Sequence, residues 1–122
     1  MKEATPLWYL GTTYPDFFSY DDKEGSMSLE QWSQCHHSTD EWLLVIEQVL
    51  DALDILEREQ ITHNDLHFGN ILILRNGLTQ FIDFGKAIYT YEPGRDLDQF
   101  LQGFAHVPLP ILVRSLIFTL NK

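Results

Sequence analysis

The chain has 122 residues and a mass of 14.2 kDa, with 44% hydrophobic and 13% aromatic residues, which fits one globular domain and excludes wholesale disorder. Its 18 acidic and 8 basic residues give a formal net charge of −10, so we expect no binding to nucleic acid, whose phosphates an acidic surface repels. No apolar run reaches the roughly 18 residues needed to span a membrane, and the single cysteine, Cys35, indicates the cytoplasm or another reducing intracellular compartment.

The first predicted elements are two short strands and a short helix. Apolar and aromatic runs at 7–10 and 17–20 are typical of strands. Ser28 stands three residues before Gln31, the spacing of a capping box, and this predicts a helix over 29–35.

The clearest predicted element is a helix over 39–57. Ser38 and Glu41 have capping-box spacing at its start. Its polar positions recur every three or four residues, which places them on one narrow stripe: Glu47, Asp51, Asp54 and Arg58. Most other positions from 43 to 56 are apolar, so we expect this helix to lie at the centre of the core.

A β-hairpin follows the long helix. The apolar run at 71–74 predicts a buried strand, and Asn76-Gly77 is typical of a tight two-residue turn. Phe81 and Ile82 then belong to the returning strand.

Two more helices are predicted after the hairpin. The first begins after Gly94 and continues to position 104, and Pro108 and Pro110 end it. The apolar run at 111–120 predicts the second.

The acidic residues are unevenly distributed. Positions 16–59 carry 12 acidic and 2 basic residues, whereas the rest of the chain carries 6 of each. Two interpretations remain open: a solvated face that keeps the protein soluble, and a docking surface for a basic partner or basic substrate.

Three polar side chains around the hairpin form a candidate site. Asp65 and Asn70 lie on one loop, and Asp83 follows the returning strand, so the hairpin brings Asn70 and Asp83 side by side. An amide oxygen and a carboxylate suit Mg²⁺, while Asp65 is a candidate base or hydroxyl-orienting group. The alternative is that all three cap backbone amides of loops.

The pattern His-x-Asp-x-x-x-x-Asn from His63 to Asn70, followed by Asp-Phe-Gly from Asp83 and set on a strand–turn–strand unit, resembles the large lobe of the protein-kinase-like superfamily. The resemblance implies an α+β fold: a mostly helical kinase large lobe over 27–122, preceded over 1–26 by a remnant of the small-lobe strands and the hinge. It implies Mg²⁺ and ATP as cofactors, with Asn70 and Asp83 as metal ligands. Asp65 then orients the acceptor, a serine or threonine hydroxyl of a protein.

The same resemblance implies roles for further residues. Asp96 or Asp98 resembles the buried aspartate that anchors the catalytic loop. His67-Phe68-Gly69-Asn70 resembles the loop of haspin-type kinases and of aminoglycoside-type phosphotransferases. Asn64 replaces the arginine that pairs with a phosphorylated activation loop, so we expect no such switch.

Several basic or metal-binding side chains allow two readings. Besides Asn70 and Asp83, two further residues are candidates for cofactor binding, His67 and Lys86, since each can approach a phosphate. The alternatives are that His67 holds the loop and that Lys86 is a solvated lysine. We expect His63 to pack inward and bind backbone. A metal site at Cys35-His36-His37 and Asp40 is the less favoured reading, since adjacent ligands rarely converge.

Two features of the kinase family are absent from these 122 residues. No two glycines have Gly-x-Gly spacing, and none of the four lysines stands in the strand that holds the α- and β-phosphates. We therefore expect phosphoryl transfer by this chain alone to be impaired, with a partner packing on the small-lobe side. The alternatives are a catalytically degenerate pseudokinase scaffold, for example in a larger assembly such as a virus particle, and a truncated inactive product.

Overall fold

The computed structural model describes residues 26–75 and 77–121. The described part has an α+β fold, as predicted, with four α-helices and one antiparallel sheet of three short strands. The strands predicted at 7–10 and 17–20, and nearly all of the proposed small-lobe remnant at 1–26, lie outside the described residues. Within the described ranges, no helix has both the length and the apolar character needed to cross a membrane.

Apart from the strand at Met27–Ser28, which the sequence did not predict, the described elements follow the predicted order along the chain. They are β1 (Met27–Ser28), α1 (Leu29–Trp32), α2 (Thr39–Arg58), β2 (Ile71–Ile73), β3 (Thr79–Phe81), α3 (Arg95–Gln102) and α4 (Ile111–Leu120). The first two helices begin at the predicted capping boxes, in which each serine hydroxyl accepts an N–H of the first turn: Ser28 from Gln31 and Ser38 from Glu41. These bonds satisfy donors that the helix itself leaves unpaired.

Helix α1 is shorter than predicted. It ends at Trp32 rather than at position 35, because the hydroxyl of Ser33 donates a hydrogen bond of 2.9 Å back to the Glu30 carbonyl. The ring of His37 also bonds the Trp32 carbonyl, at 2.6 Å. Both groups satisfy carbonyls at the helix end, so the helix terminates there.

The hairpin has the predicted strands but a different turn. Ile71 pairs with Phe81 and Ile73 with Thr79, and the Leu74 N–H donates to the Leu78 carbonyl at 2.8 Å. The loop therefore contains three residues, 75–77, rather than two. Gly77 adopts a φ of +89°, a conformation that glycine reaches without steric cost.

Helix α2 is the centre of the core, as predicted. It buries six side chains, and its polar stripe at Glu47, Asp51, Asp54 and Arg58 is exposed. Leu44 is nevertheless 53% exposed, so the helix is not covered around its whole circumference. The Gln48 amide binds both the Gly77 carbonyl and the Thr79 N–H, and these two bonds tie the helix to the hairpin.

Helix α3 ends two residues before the predicted position. A Cβ on Gly103 would lie 2.5 Å from the ring of Phe68, so only glycine permits this close approach. The Phe68 ring packs against Phe100 and Phe104, with centroids 5.8 and 5.1 Å away. This aromatic cluster joins α3 to the loop that carries the candidate site.

Candidate active site

The loop that begins at His63 is anchored by a buried aspartate of α3. Asp96 is only 3% exposed, and its carboxylate accepts the backbone N–H groups of His63 at 2.8 Å and Asn64 at 2.9 Å. Asp98 is exposed. The structure thus selects Asp96 from the two candidates that the sequence offered.

His63 is fully buried and hydrogen-bonded through both ring nitrogens. Its Nε2 lies 2.8 Å from the carbonyl of Ile82, and its Nδ1 accepts the Asp65 N–H at 3.2 Å. These partners assign the proton to Nε2. Burial lowers the pKa of His63 below the ordinary histidine value, although the hydrogen bond to the Ile82 carbonyl and then the nearby carboxylates, chiefly that of Asp96, oppose the shift. As predicted, His63 packs inward and binds backbone.

Asp65 lies at the centre of the site, with a carboxylate that is 19% exposed. The Asn70 Nδ2 group donates to the Asp65 carbonyl at 2.8 Å and to Oδ2 at 3.2 Å. His67 Nε2 lies 3.7 Å from Oδ1, and Lys86 Nζ lies 3.9 Å from Oδ2. Four of the five residues singled out from the sequence therefore meet in one cluster.

His67 holds the short turn at Phe68–Asn70. Its Nδ1 accepts the Gly69 N–H at 3.1 Å, which leaves the proton on Nε2, the nitrogen nearer Asp65. The ring is half exposed. The Nε2 atom also lies 3.3 Å from the Asn70 amide nitrogen, so the observed contacts give His67 a loop-holding role.

Asp83 comes directly after Ile82, whose backbone is hydrogen-bonded to that of Asn70. The Ile82 N–H donates to the Asn70 carbonyl at 2.9 Å, which extends the hairpin ladder to the edge of the site. Asp83 has a left-handed backbone, with φ 60° and ψ 67°. This conformation is uncommon for a residue with a side chain, costs about 1–2 kcal/mol and occurs often at functional sites.

The donor set of Asn70 and Asp83 fits Mg²⁺. The bonds to Asp65 use the Asn70 amide nitrogen, and no described residue donates a hydrogen bond to its Oδ1. The Asp83 carboxylate is exposed, and among the described residues the Gly85 N–H is its one hydrogen-bond donor, at 3.4 Å. Both groups therefore offer oxygens, the ligands that Mg²⁺ prefers.

Within the described ranges, no group of three or more His, Cys, Asp and Glu side chains is arranged to hold a metal, so the Asn70 and Asp83 pair is not part of a larger cluster of this kind. In the Cys35-His36-His37 segment, the His37 ring is engaged by the Trp32 carbonyl and lies 3.4 Å from Glu41. It also stacks on Trp32, with centroids 3.5 Å apart. These contacts favour the reading of this segment as a surface loop.

The sequence did not reveal the cross-links between the loop and more distant segments. Asn64 Nδ2 donates to the Lys86 carbonyl at 3.1 Å, and Asn64 Oδ1 accepts from Arg95 at 3.0 Å. The Leu66 N–H donates to Gln99 Oε1 at 2.9 Å. The partners lie 22 to 33 residues apart, and no spacing rule connects residues at such separations.

A cleft of about 400 Å³ adjoins the catalytic loop. It lies between α1, the loop and the segment after α3, and its polar lining includes Glu30, Gln34, His67, Gln102 and His106. Its volume falls in the range of small-molecule sites and side-chain pockets. Asp65 does not line the cleft, but His67 does, and its Nε2 lies 3.7 Å from the Asp65 carboxylate.

The anchored loop, the hairpin and the Asp65 cluster define a kinase-like catalytic lobe, and comparison with known proteins agrees. Residues 15–97 match the phosphotransferase enzyme family. The chain is 31% identical over 88 residues to a probable serine/threonine-protein kinase MRK1 homolog of Encephalitozoon cuniculi, covering 70% of this chain and 28% of that protein.

Two further relatives are also kinases. The chain is 41% identical over 49 residues to the mitochondrial serine/threonine-protein kinase ppk24 of Schizosaccharomyces pombe, covering 40% of this chain and 11% of the relative. It is 32% identical over 60 residues to the dual specificity protein kinase zak2 of Dictyostelium discoideum, covering 49% and 9%. The chain therefore spans at most 28% of the length of these relatives. It belongs to the phosphotransferase enzyme family, within the protein-kinase-like superfamily.

Proposed function

We propose that the chain is a catalytic lobe that transfers the terminal phosphoryl group of ATP to a hydroxyl group, with the serine or threonine hydroxyl of a protein as the acceptor. The observation that carries this proposal is the Asp65 cluster: a partly exposed carboxylate bound by Asn70, beside the hairpin end that bears Asp83. Asp83 combines an exposed carboxylate with a left-handed backbone, a conformation that occurs often at functional sites, and the same carboxylate also accepts the Gly85 N–H.

The roles follow from the contacts. Asp65 accepts the hydrogen bond of the acceptor hydroxyl and orients its oxygen toward the terminal phosphorus. The new O–P bond forms while the bond to the bridging oxygen of the leaving ADP breaks, and the hydroxyl proton passes to the Asp65 carboxylate. Asn70 and Asp83 would hold Mg²⁺ through their oxygens, and the ion supplies positive charge that neutralises the phosphates.

The acceptor is proposed to be basic. In the described part of the acidic segment, 26–59, all eight acidic side chains are exposed: Glu30, Asp40, Glu41, Glu47, Asp51, Asp54, Glu57 and Glu59. Glu30 also lines the cleft beside His67. The negative electrostatic potential of these side chains raises the association rate of a basic protein. The carboxylate of Glu30 can then bind a cationic side chain of that protein in the cleft.

We propose in addition that the 122-residue chain transfers phosphate slowly by itself. It carries neither Gly-x-Gly spacing nor a strand lysine to hold the phosphates. Because phosphoryl transfer depends mainly on positioning and charge stabilisation, a missing phosphate clamp lowers the rate by orders of magnitude. The proposed source of the clamp is a small lobe, supplied either by a partner or by further residues of the same protein.

Transfer of labelled terminal phosphate from ATP to a generic basic protein tests this proposal. With Mg²⁺, we expect a rate far below the usual kinase range of about 1–100 s⁻¹. Asp65→Asn should abolish the transfer, whereas Asp98→Asn, an exposed change on α3, should not. Equal activity in the Asp65→Asn and wild-type chains would refute the assignment of Asp65, and a rate in the usual range would refute the proposed impairment.

A second candidate function is a binding scaffold without catalysis. Three large apolar side chains of α4 are strongly exposed, Ile111, Leu112 and Phe118, and such side chains commonly mark contacts with other proteins. On this reading the chain self-associates or binds hydrophobic dye, and Mg·ATP has no effect on its stability. Light scattering and dye fluorescence, combined with the nucleotide measurements below, distinguish the two functions.

A further inference from the structure

Within the described part of the chain, Lys86 is the lysine that pairs with the candidate catalytic carboxylate of Asp65. The described residues contain five lysine and arginine side chains: Arg58, Arg75, Lys86, Arg95 and Arg114. Among these five, only Lys86 forms an ion pair with Asp65, at 3.9 Å from Nζ to Oδ2. Arg95, the next nearest along the network, binds Asn64 and Glu92 instead.

The backbone of Lys86 is held by several contacts, whereas its side chain is largely exposed. Asn64 Nδ2 donates to the Lys86 carbonyl, and Arg95 in turn holds the oxygen of the same Asn64 amide. On either side of Lys86, buried Phe84 packs its ring 4.4 Å from that of His63, and Ile88 forms a two-bond bridge with Thr62. The chain therefore presents the lysine stem to the site from a defined position.

The ion pair itself is a weak reason for this arrangement. The Lys86 side chain is 70% exposed, and a long, solvated contact of this kind contributes little to folding stability. Because water reaches the Lys86 ammonium, this group can readily exchange the single Asp65 oxygen for a partner of higher negative charge. The terminal phosphate of ATP, which must lie next to a hydroxyl oriented by Asp65, is such a partner.

We propose that Lys86 contacts the transferred phosphoryl group and that Asn64, held by Arg95, is the residue that positions it. This inference rests on the proposed phosphotransferase function. A lysine after Asp83-Phe84-Gly85 thus supplies charge at the terminal phosphate, while Asn64 links the loop to the segment after Asp83 through hydrogen bonds alone. The arrangement explains how this segment is held without an arginine–phosphate pair.

Binding of Mg·ATP and Mg·ADP to the full chain, measured by calorimetry, tests the inference. Only ATP carries the phosphate that Lys86 is proposed to contact. Lys86→Ala should weaken Mg·ATP about tenfold and leave Mg·ADP within about twofold, as the loss of one charge-assisted hydrogen bond implies. Lys86→Arg should retain most of the ATP preference, and Arg114→Ala, which removes an exposed charge on α4, should change neither affinity.

Asn64→Gly tests the positioning role. Glycine tolerates the φ of 73° at this position, so the change removes the side-chain bonds without adding backbone strain. The variant should lose part of the ATP preference, about threefold, with Mg·ADP binding retained. If the ratio of ATP to ADP affinity in Lys86→Ala equals that of the wild type, this inference is overturned while the proposed function still stands. A wild-type chain that binds neither nucleotide overturns the proposed function, and this inference with it.

Discussion

The carboxylate of Asp96 binds the backbone N–H of His63 across 33 positions of the chain, at 2.8 Å. The same carboxylate binds the next N–H, that of Asn64, so one buried side chain fixes the start of the catalytic loop. Asp96 lies in the first turn of α3, where the helix dipole also favours a negative charge. The position of Asp65 thus depends on a helix that begins 30 residues later.

Replacement of Asp96 by alanine should destabilise the fold strongly. The change leaves two loop N–H groups without an acceptor, at about 1–3 kcal/mol each, so we expect a loss of about 2–5 kcal/mol in the free energy of unfolding. Asp98→Ala is the matched control on the same helix turn, and its exposed carboxylate should account for less than about 1 kcal/mol. Urea denaturation measures both, and equal losses would contradict the anchoring role of Asp96.

His63 should make stability depend on pH. Burial lowers its pKa in the fold below the value of 6.5 that applies to the unfolded chain. As the pH falls below 6.5, the unfolded chain takes up a proton that the folded chain does not, so folding stability decreases until the lowered pKa is passed. Above 6.5 this contribution is constant.

The variant His63→Gln isolates this effect from the other histidines. It removes the titrating ring, so its stability should fall less than that of the wild type between about pH 7 and about pH 5, even if it starts lower. Urea midpoints at several pH values measure the two slopes. Identical slopes would show that His63 does not carry a lowered pKa.

Gly103 should tolerate no side chain while Phe68 is present. An added Cβ would lie 2.5 Å from the Phe68 ring, and such overpacking typically costs about 1–3 kcal/mol. Gly103→Ala should therefore destabilise the protein, and Phe68→Leu in the same chain should recover part of the loss by removing the ring. If the two changes are simply additive in thermal unfolding, the close contact does not limit position 103.

The cleft should favour a basic acceptor through Glu30. In the transfer assay, Glu30→Gln should raise the KM for a basic peptide about two- to fivefold, and the difference should shrink as salt screens the charges. Glu47→Gln removes an equivalent exposed charge from α2, outside the cleft lining, and should have a smaller effect. Equal effects of the two variants would favour a solvated acidic face over a docking surface.

The local patterns of the sequence predicted the larger elements and the main site residues. Helix α2 followed from its capping box and its single polar stripe, and the hairpin followed from an apolar run and a turn signal. Asp65, Asn70 and Asp83 followed from a motif with fixed spacing. All of these signals lie within a few residues of the feature that they predict.

The remaining features depend on contacts between distant segments. Strand β1 has only two residues, too few to show an alternation of polar and apolar positions. It forms because its backbone pairs with the edge of β2. The cross-links of Asn64 to Lys86 and Arg95 require the folded positions of three segments. The requirement for glycine at position 103, directly after α3, depends on the Phe68 ring, which lies in a distant segment of the chain.

The central claim is that Asn70 and Asp83 form a site for Mg²⁺ with nucleotide. Thermal unfolding with Mg²⁺ and ATP, each alone and both together, tests it most directly. Two protein oxygens bind Mg²⁺ weakly, and the phosphates complete its ligands, so only the combination should raise the Tm of the wild type by several degrees. Asp83→Asn keeps a side chain that tolerates the left-handed backbone and should abolish the rise, whereas Asp65→Asn should retain it. A wild-type chain that Mg·ATP does not stabilise, or an Asp83→Asn chain with the full rise, would contradict the claim.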